Sequence, residues 1–363
     1  MSELIDNIKN NLSKIIDKDI KLSLGDLNSI KDVVISDNTV QVYIELIQPI
    51  QWIYADIKQQ VKNILMDLAQ DKNHEIFINE VSLSHTNRPT LNRVKNLIAV
   101  ASGKGGVGKS SIAANLAAGL MQSGASVGIL DADVYGPSQP SMFGLENKKL
   151  MATTTPDGRT VAAPIEQYGV KVASMGFVMN REEAAIVRGP MLAGYFSMLF
   201  EQVEWGELDF LIFDLPPGTG DIQLTLVQKI PLTGAVIVTT PQDIALADVR
   251  RSITMFQKVK VDVLGIIENM SYFTPDELPD KKYYIFGEGG GKRIANEFGV
   301  NLLGEVPIDI NMREGNDSGK PVILKGDNNP QTNILKEIVY NVVSETRKVN
   351  YMNSKTKAPI IEL

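Results

Sequence analysis

Five short runs, LIAVAS from Leu97, ASVGILDAD from Ala125, LDFLIFDLP from Leu208, GAVIVTTP from Gly234 and VLGIIENMS from Val263, are apolar at successive positions instead of alternate ones. Helix-length segments separate them. Strands that are hydrophobic on both faces belong to a sheet covered on both sides, so the pattern predicts an α/β domain with a mostly parallel sheet and helices on both faces. The first part of the chain reads differently. An amphipathic start, an alternating TVQVYIEL (Thr39 to Leu46), a helical stretch from Tyr54 to Leu68 and a closing strand FINEVSLS (Phe77 to Ser84) predict a small α/β domain. The polar HTNRPTLNRVKN that follows, with Pro89 inside, reads as a linker. The predicted division is 1–88 for the small domain, 89–96 for the linker, 97–350 for the large domain and 351–363 for a loosely held tail.

A length of 363 residues agrees with two units, since single cores stop growing near that size. The N-terminus mixes acids and bases without an apolar signal-peptide core, and no later run has about 18 consecutive apolar residues, so a cytoplasmic protein with no membrane partner is expected. A formal charge of -7 opposes general attraction to nucleic acid. The basic stretch from Arg250 and Arg251 to Lys258 and Lys260 reads as a solvated helix face. His74 and His85 lack a second ligand at metal-site spacing and read as surface or loop residues. With no cysteine, the chain can supply neither a disulfide nor a thiolate ligand.

The strongest local signal follows LIAVAS. Gly103, Lys104, Gly105, Gly106, Val107, Gly108, Lys109 and Ser110 meet the G-x-x-x-x-G-K-[ST] pattern between a strand and a helix-compatible SIAANLAAGLMQ that opens at Ser111. Such a loop turns backbone N–H groups onto phosphate oxygens at a helix N-terminus. Lys109 is expected to contact the β- and γ-phosphates of ATP, and the Ser110 hydroxyl to ligate Mg2+. Asp214 ends a later apolar strand and is expected to hold the metal through its water shell. Asp133 is the candidate for positioning the attacking water, with Asp131 able to share the work. Lys104 is not required by a simple P-loop; it is read as a charge delivered to the phosphates of a facing subunit, which makes slow hydrolysis the work of a homodimer.

These residues resemble the Mrp/ApbC family, within the MinD-type (SIMIBI) deviant Walker A P-loop NTPases. The matching stretches are VASGKGGVGKSS (Val100 to Ser111), DADVYGPS (Asp131 to Ser138), DLPPGTGD (Asp214 to Asp221), ENMSYF (Glu268 to Phe273), FGEGGG (Phe286 to Gly291) and REGNDSGKP (Arg313 to Pro321). A fainter match in DKDIKLSLGDLNSIKDV (Asp17 to Val33) is similar to an iron–sulphur-assembly-type domain. The resemblance implies that Lys104 acts across the dimer, that Asp133 and Asp214 lie in the two switch regions, and that Asn269 faces the adenine. It also implies a carrier that passes an iron–sulphur cluster to apoprotein clients or works with assembly proteins. Family members hold that cluster on a Cys-x-x-Cys pair from each subunit, soon after ENMS. Here the segment reads TPDELPDKKYYIFGEGG, in which Thr274, Asp276 and Glu277 offer oxygen at best, so no cluster bound in the family's manner is expected. The alternative is a nucleotide-switched regulator of DNA or a protein partner, similar to the SalA branch. A MinD-like membrane role lacks the amphipathic C-terminal helix it needs.

Overall fold

The computed structural model describes residues 2–81, 91, 93–134, 136–155, 158–178, 199–275, 277–326 and 329–356. His85, Asp276 and residues 89, 90 and 92 of the expected linker lie outside them, and the last three residues of that linker, from Val94, already belong to a strand. The chain divides into two compact units, Met1–Leu83 together with Val343–Leu363, and Ser84–Val342. This departs from the linear reading at the C-terminus. Helix α9, Pro330–Thr356, gives its later residues to the first unit, so part of the expected tail is helical and belongs with the N-terminal fold.

In the first unit, helices α1 (Ser2–Leu12) and α2 (Tyr54–Leu68) cover one face of a sheet ordered β3 (Ile30–Ile35), β4 (Thr39–Ile47), β5 (Asn73–Val81), beside a short β1 (Ile16–Asp17) and β2 (Leu22–Ser23) pair. Strand β4 alternates along its whole length, burying Val40, Val42, Ile44 and Leu46 against Ile8, Leu12, Ile57, Val61 and Leu65. The 2-residue period of the strand therefore meets the 3.6-residue stripe of each helix. His74 lies on β5, half-buried, with Nε2 2.9 Å from the Ala69 carbonyl.

Arg347 of α9 closes this unit. Its guanidinium is fully buried and donates to Asp17 Oδ1 (2.9 Å), Asp17 Oδ2 (2.6 Å), Asp19 Oδ2 (2.6 Å) and the Ile47 carbonyl (3.2 Å). Burial alone pushes the Asp17 carboxyl up, but the Arg347 hydrogen bonds and charge, with the N–H groups of Ile20 and Asp19, outweigh it and hold Asp17 below the usual carboxylate range. Three residues along α9, Asn350 donates its amide to the Gln48 carbonyl at 3.0 Å.

The second unit is built on an eight-stranded sheet ordered β10 (Ile165–Gln167), β11 (Val170–Ser174), β7 (Val127–Asp131), β12 (Leu208–Asp214), β6 (Val94–Ser102), β13 (Gly234–Thr239), β14 (Val263–Phe273), β15 (Leu302–Ile308). The β10–β11 pair is antiparallel and the other neighbours are parallel. Strands β7 and β13 are buried at every position, as the unbroken apolar runs require. Helices α3 (Lys109–Gln122), α5 (Asp221–Lys229), α6 (Asp243–Lys258) and α7 (Gly290–Phe298) connect them, with a short α4 (Gln139–Met142) and an α8 (Ile310–Asp317). An added hairpin, β8 (Met151–Thr154) with β9 (Thr160–Ala163), forms a separate two-stranded sheet. The parallel strands all deliver their carboxyl ends to one edge, where an open α/β sheet places its ligand site.

Candidate nucleotide site

Strand β6 ends at Ser102 and α3 begins at Lys109, so Gly103 to Gly108 lie at that carboxyl edge. Two of the glycines are required by the backbone: Gly106 and Gly108 take φ of +82° and +80°, a region that side chains disfavour. Gly108 is doubly constrained. A Cβ there would overlap the Asn269 amide nitrogen, which donates to the Val107 carbonyl at 2.9 Å. Gly103 is held as closely on the other side, because a Cβ would run into Asp248 of α6.

Lys109 is buried, and its ammonium makes an ion pair with fully buried Asp214 and a 3.2 Å hydrogen bond to Ser110 Oγ. Strand β12 lies between β6 and β7, which sets Asp214 directly beside Val100 on one neighbour and Asp131 on the other. Two carboxylates thus end adjacent strands beside one lysine. Burial, and then the charge of Asp214, push Asp131 up to about 7; the N–H groups of Gln139 and Asp133 and the Lys109 charge oppose that rise. Asp131 accepts from Ser138 N (2.9 Å), Gln139 N (3.0 Å), Asp133 N (3.1 Å) and Ser174 Oγ (3.1 Å). The loop after β7 is therefore wound around its carboxylate. Asp133, half-buried, accepts from Gly136 N at 3.1 Å and lies two residues out from that centre.

Three residues join the site that motif reasoning did not assign. Gln139 donates to Asp214 Oδ2 (2.8 Å) and to the Ser110 carbonyl (3.1 Å), leaving its own Oε1 buried with no partner among the described residues. Asn316 of α8 donates to Ser111 Oγ at 2.7 Å, and Asn115 links the Ser111 carbonyl (2.8 Å) to Ile323 N (3.0 Å). Gln139 and Asn316 stand within or beside the quoted motifs DADVYGPS and REGNDSGKP, which was the available signal. Asn269, expected to face adenine, donates its amide to the Val107 carbonyl of the loop, braced by a β14 bulge in which Met270 takes φ +55°. The Lys104 carbonyl accepts from Ser102 Oγ at 3.0 Å, and its half-buried side chain forms no ion pair among the described residues. On α6, the basic stretch is partnered by acids, Arg250 with Glu297 at 2.8 Å and Arg251 with Asp248.

The described donors suit a hard divalent cation. Ser110 Oγ, the Asp214 and Asp131 carboxylates and the unpartnered Gln139 Oε1 are all oxygen and cluster at one strand edge. They do not suit an iron–sulphur cluster. No cysteine exists in the chain, and no group of three or more His, Asp or Glu able to hold a metal occurs among the described residues.

Comparison with known proteins places the fold in a family. Residues 93–343 match the NUBPL iron-transfer P-loop NTPase profile, and residues 5–77 match an iron–sulphur cluster assembly protein profile. The chain belongs to the NUBPL-type P-loop NTPase family. Among relatives of this family, an iron–sulphur cluster carrier protein of Synechocystis is 43% identical over 339 residues, covering 92% of this chain and 95% of that protein. The iron–sulphur cluster transfer protein NUBPL of Dictyostelium discoideum is 47% identical over 262 residues, covering 72% and 80%. A nucleotide-binding protein from Archaeoglobus fulgidus, solved with ADP, superposes with a TM-score of 0.58 at 40% identity, covering 66% of this chain and 92% of that one. Among the described residues, no helix is long and apolar enough to cross a membrane.

Proposed function

We propose that this chain is an ATP-hydrolysing switch of the cytoplasm that assists the delivery of iron–sulphur clusters to apoproteins without holding the cluster on thiolates of its own. The observation that carries the reading is the pairing of buried Lys109 with Asp214 beside Ser110, at the carboxyl edge between β6 and β12. ATP brings phosphate oxygens to the loop N–H groups of Gly103 to Ser110 and to Lys109. Ser110 and Asp214, with Gln139 beside them, would hold Mg2+, which supplies charge neutralisation on the phosphates. Asp133 orients the attacking water. Lys104 reaches the phosphates of a second copy, so the working form is a homodimer. Asn269 holds the loop through the Val107 carbonyl and would stand against the base.

The names of the relatives support cluster delivery, as does the assembly-type match over residues 5–77. The cluster is cargo in this reading, and its ligands come from the client or from small thiols. Anaerobic incubation with iron and sulphide, with and without glutathione, followed by iron counting and transfer to an apo-ferredoxin, tests it. ATP-dependent transfer of iron to the acceptor is expected only with the thiol present; no bound iron and no transfer under either condition sinks the carrier reading. A nucleotide-switched regulator of a protein or DNA partner then stands, favoured by the absence of cysteine.

A further inference from the structure

The sheet of the first unit has a second face, which its helices do not cover. Val40, Val42, Ile44 and Leu46 pack toward α1 and α2, so Gln41, Tyr43 and Glu45 of β4 lie on the other side. The parallel register sets Glu75 of β5 beside Gln41 and Phe77 beside Tyr43, and the antiparallel one sets Val34 of β3 across from Gln41. Tyr43 and Phe77 stack with ring centres 4.9 Å apart and planes inclined by 12°. Hydrogen bonds hold the stack from the side: the Tyr43 hydroxyl donates to Gln41 Oε1 at 3.2 Å, and Gln41 Nε2 donates to Glu75 Oε2 at 2.7 Å. Phe77 nevertheless stays 41% exposed and Val34 42%. An aromatic pair already ordered and left in water on a sheet face is suited to contact, because covering it gains apolar burial and loses little side-chain entropy.

We infer that this face and the open side of β5 receive an extended segment of another protein that carries arginine at alternate positions. Charge chooses that occupant first. Two carboxylates flank the aromatic pair. Lys31 answers Glu45 at 3.2 Å, whereas Glu75 has no cation against it among the described residues. A phosphate-bearing partner is repelled there, while a guanidinium can lie flat on the exposed Phe77 ring and bond Glu75 through its edge. The sheet edge chooses it second. Strand β5 has 9 residues, pairs with β4 on one side and meets no strand on its other side among the described residues. A strand added there runs about 4.8 Å away and sets every second side chain beside Glu75 and Phe77. One segment thereby meets the backbone of β5, the ring and the carboxylate together. The inference does not depend on the nucleotide reading, and it gives the first unit a recruiting role of its own.

Fluorescence anisotropy of the full chain with a labelled decapeptide of alternating arginine and threonine tests this. Binding is expected to weaken at least about fivefold when citrulline, neutral and of the same shape, replaces arginine, and at least about twofold with lysine, which keeps the charge without the flat fork. Phe77→Ser and Glu75→Gln should each weaken the arginine peptide at least about fivefold, with tryptophan fluorescence unchanged. The Glu75 change is isosteric, so it tests the face even where the Phe77 change loosens the sheet. Methylating the backbone nitrogens of one alternate set of peptide residues should abolish binding and methylating the other set should spare it, because a paired strand turns only every second N–H to its neighbour. No binding of the arginine peptide, equal binding of the citrulline peptide, equal loss on methylating either set, or affinity untouched by both substitutions overturns the inference. So does an oligothymidylate that binds through Phe77 where the peptide does not, since the face would then belong to single-stranded nucleic acid.

Discussion

Replacing Arg347 by methionine should unfold the N-terminal unit far more readily than its place near the chain end implies. The guanidinium pairs with both Asp17 and Asp19, and all three groups are shut off from water. Methionine keeps much of the apolar stem and removes the charge. Breaking a buried ion pair by deleting one partner costs about 3–5 kcal/mol, because the remaining charge stays buried. Asp17 keeps the N–H donors of Asp19 (3.0 Å) and Ile20 (3.1 Å), which places the expected loss toward the lower end. With a urea m-value of about 2 kcal/mol/M, that is a midpoint lowered by roughly 1.5–2 M.

The two tryptophans make the assay specific, since Trp52 lies in the first unit and Trp205 in the second. In a Trp205→Phe background, fluorescence reports the N-terminal unit alone. Acid supplies a second handle. In the wild type the folded Asp17 carboxyl lies below its unfolded value, so its contribution is present above about pH 4 and fades as pH falls through the folded value. Without Arg347, burial pushes Asp17 up against only the N–H groups of Asp19 and Ile20, so the cost of Arg347→Met is full at pH above the variant's folded value and shrinks as pH falls through it. The deficit should therefore narrow between pH 7 and pH 3. A deficit under about 1 kcal/mol at pH 7, or one equally large at pH 3, would refute the reasoning.

Lys109→Ala should lower ATP affinity at least about tenfold in equilibrium dialysis, and should lower thermal stability without nucleotide, because Asp214 and Asp131 lose the cation between them. Lys104→Ala should keep ATP binding while single-turnover hydrolysis falls by about 10³ or more; unchanged turnover counts against action across a dimer. Gly108→Ala should abolish binding, since the added methyl displaces the Asn269 amide from Val107 and φ is +80°. Asn269→Ala in the same chain is expected to relieve the overlap and restore part of the affinity, which isothermal titration can read.

The parts of this protein that could be read from its sequence are those whose chemistry is local. A covered strand is apolar along most of its length wherever it sits, so β6, β7, β12, β13 and β14 were legible from their unbroken apolar runs. The loop was legible because its glycines, Lys109 and Ser110 complete the phosphate-binding pattern within eight positions. Residues that answer to a distant partner left no such trace. Arg347 is one basic residue in a polar helix until topology carries it to Asp17, 330 positions away, and the same blindness assigned the end of α9 to a loose tail. Gln139 was hidden for a related reason: its role depends on β12 lying between β6 and β7, an order that chain sequence does not print. That order also explains why Lys109 and Asp214 meet. In the proposed reaction, phosphate takes the lysine and Mg2+ takes the carboxylate, so each buried charge exchanges one partner for another and none is left bare in a low-dielectric site. A substitution at either residue therefore acts on both sides of the exchange, which is why the Lys109 experiment pairs an affinity with a stability.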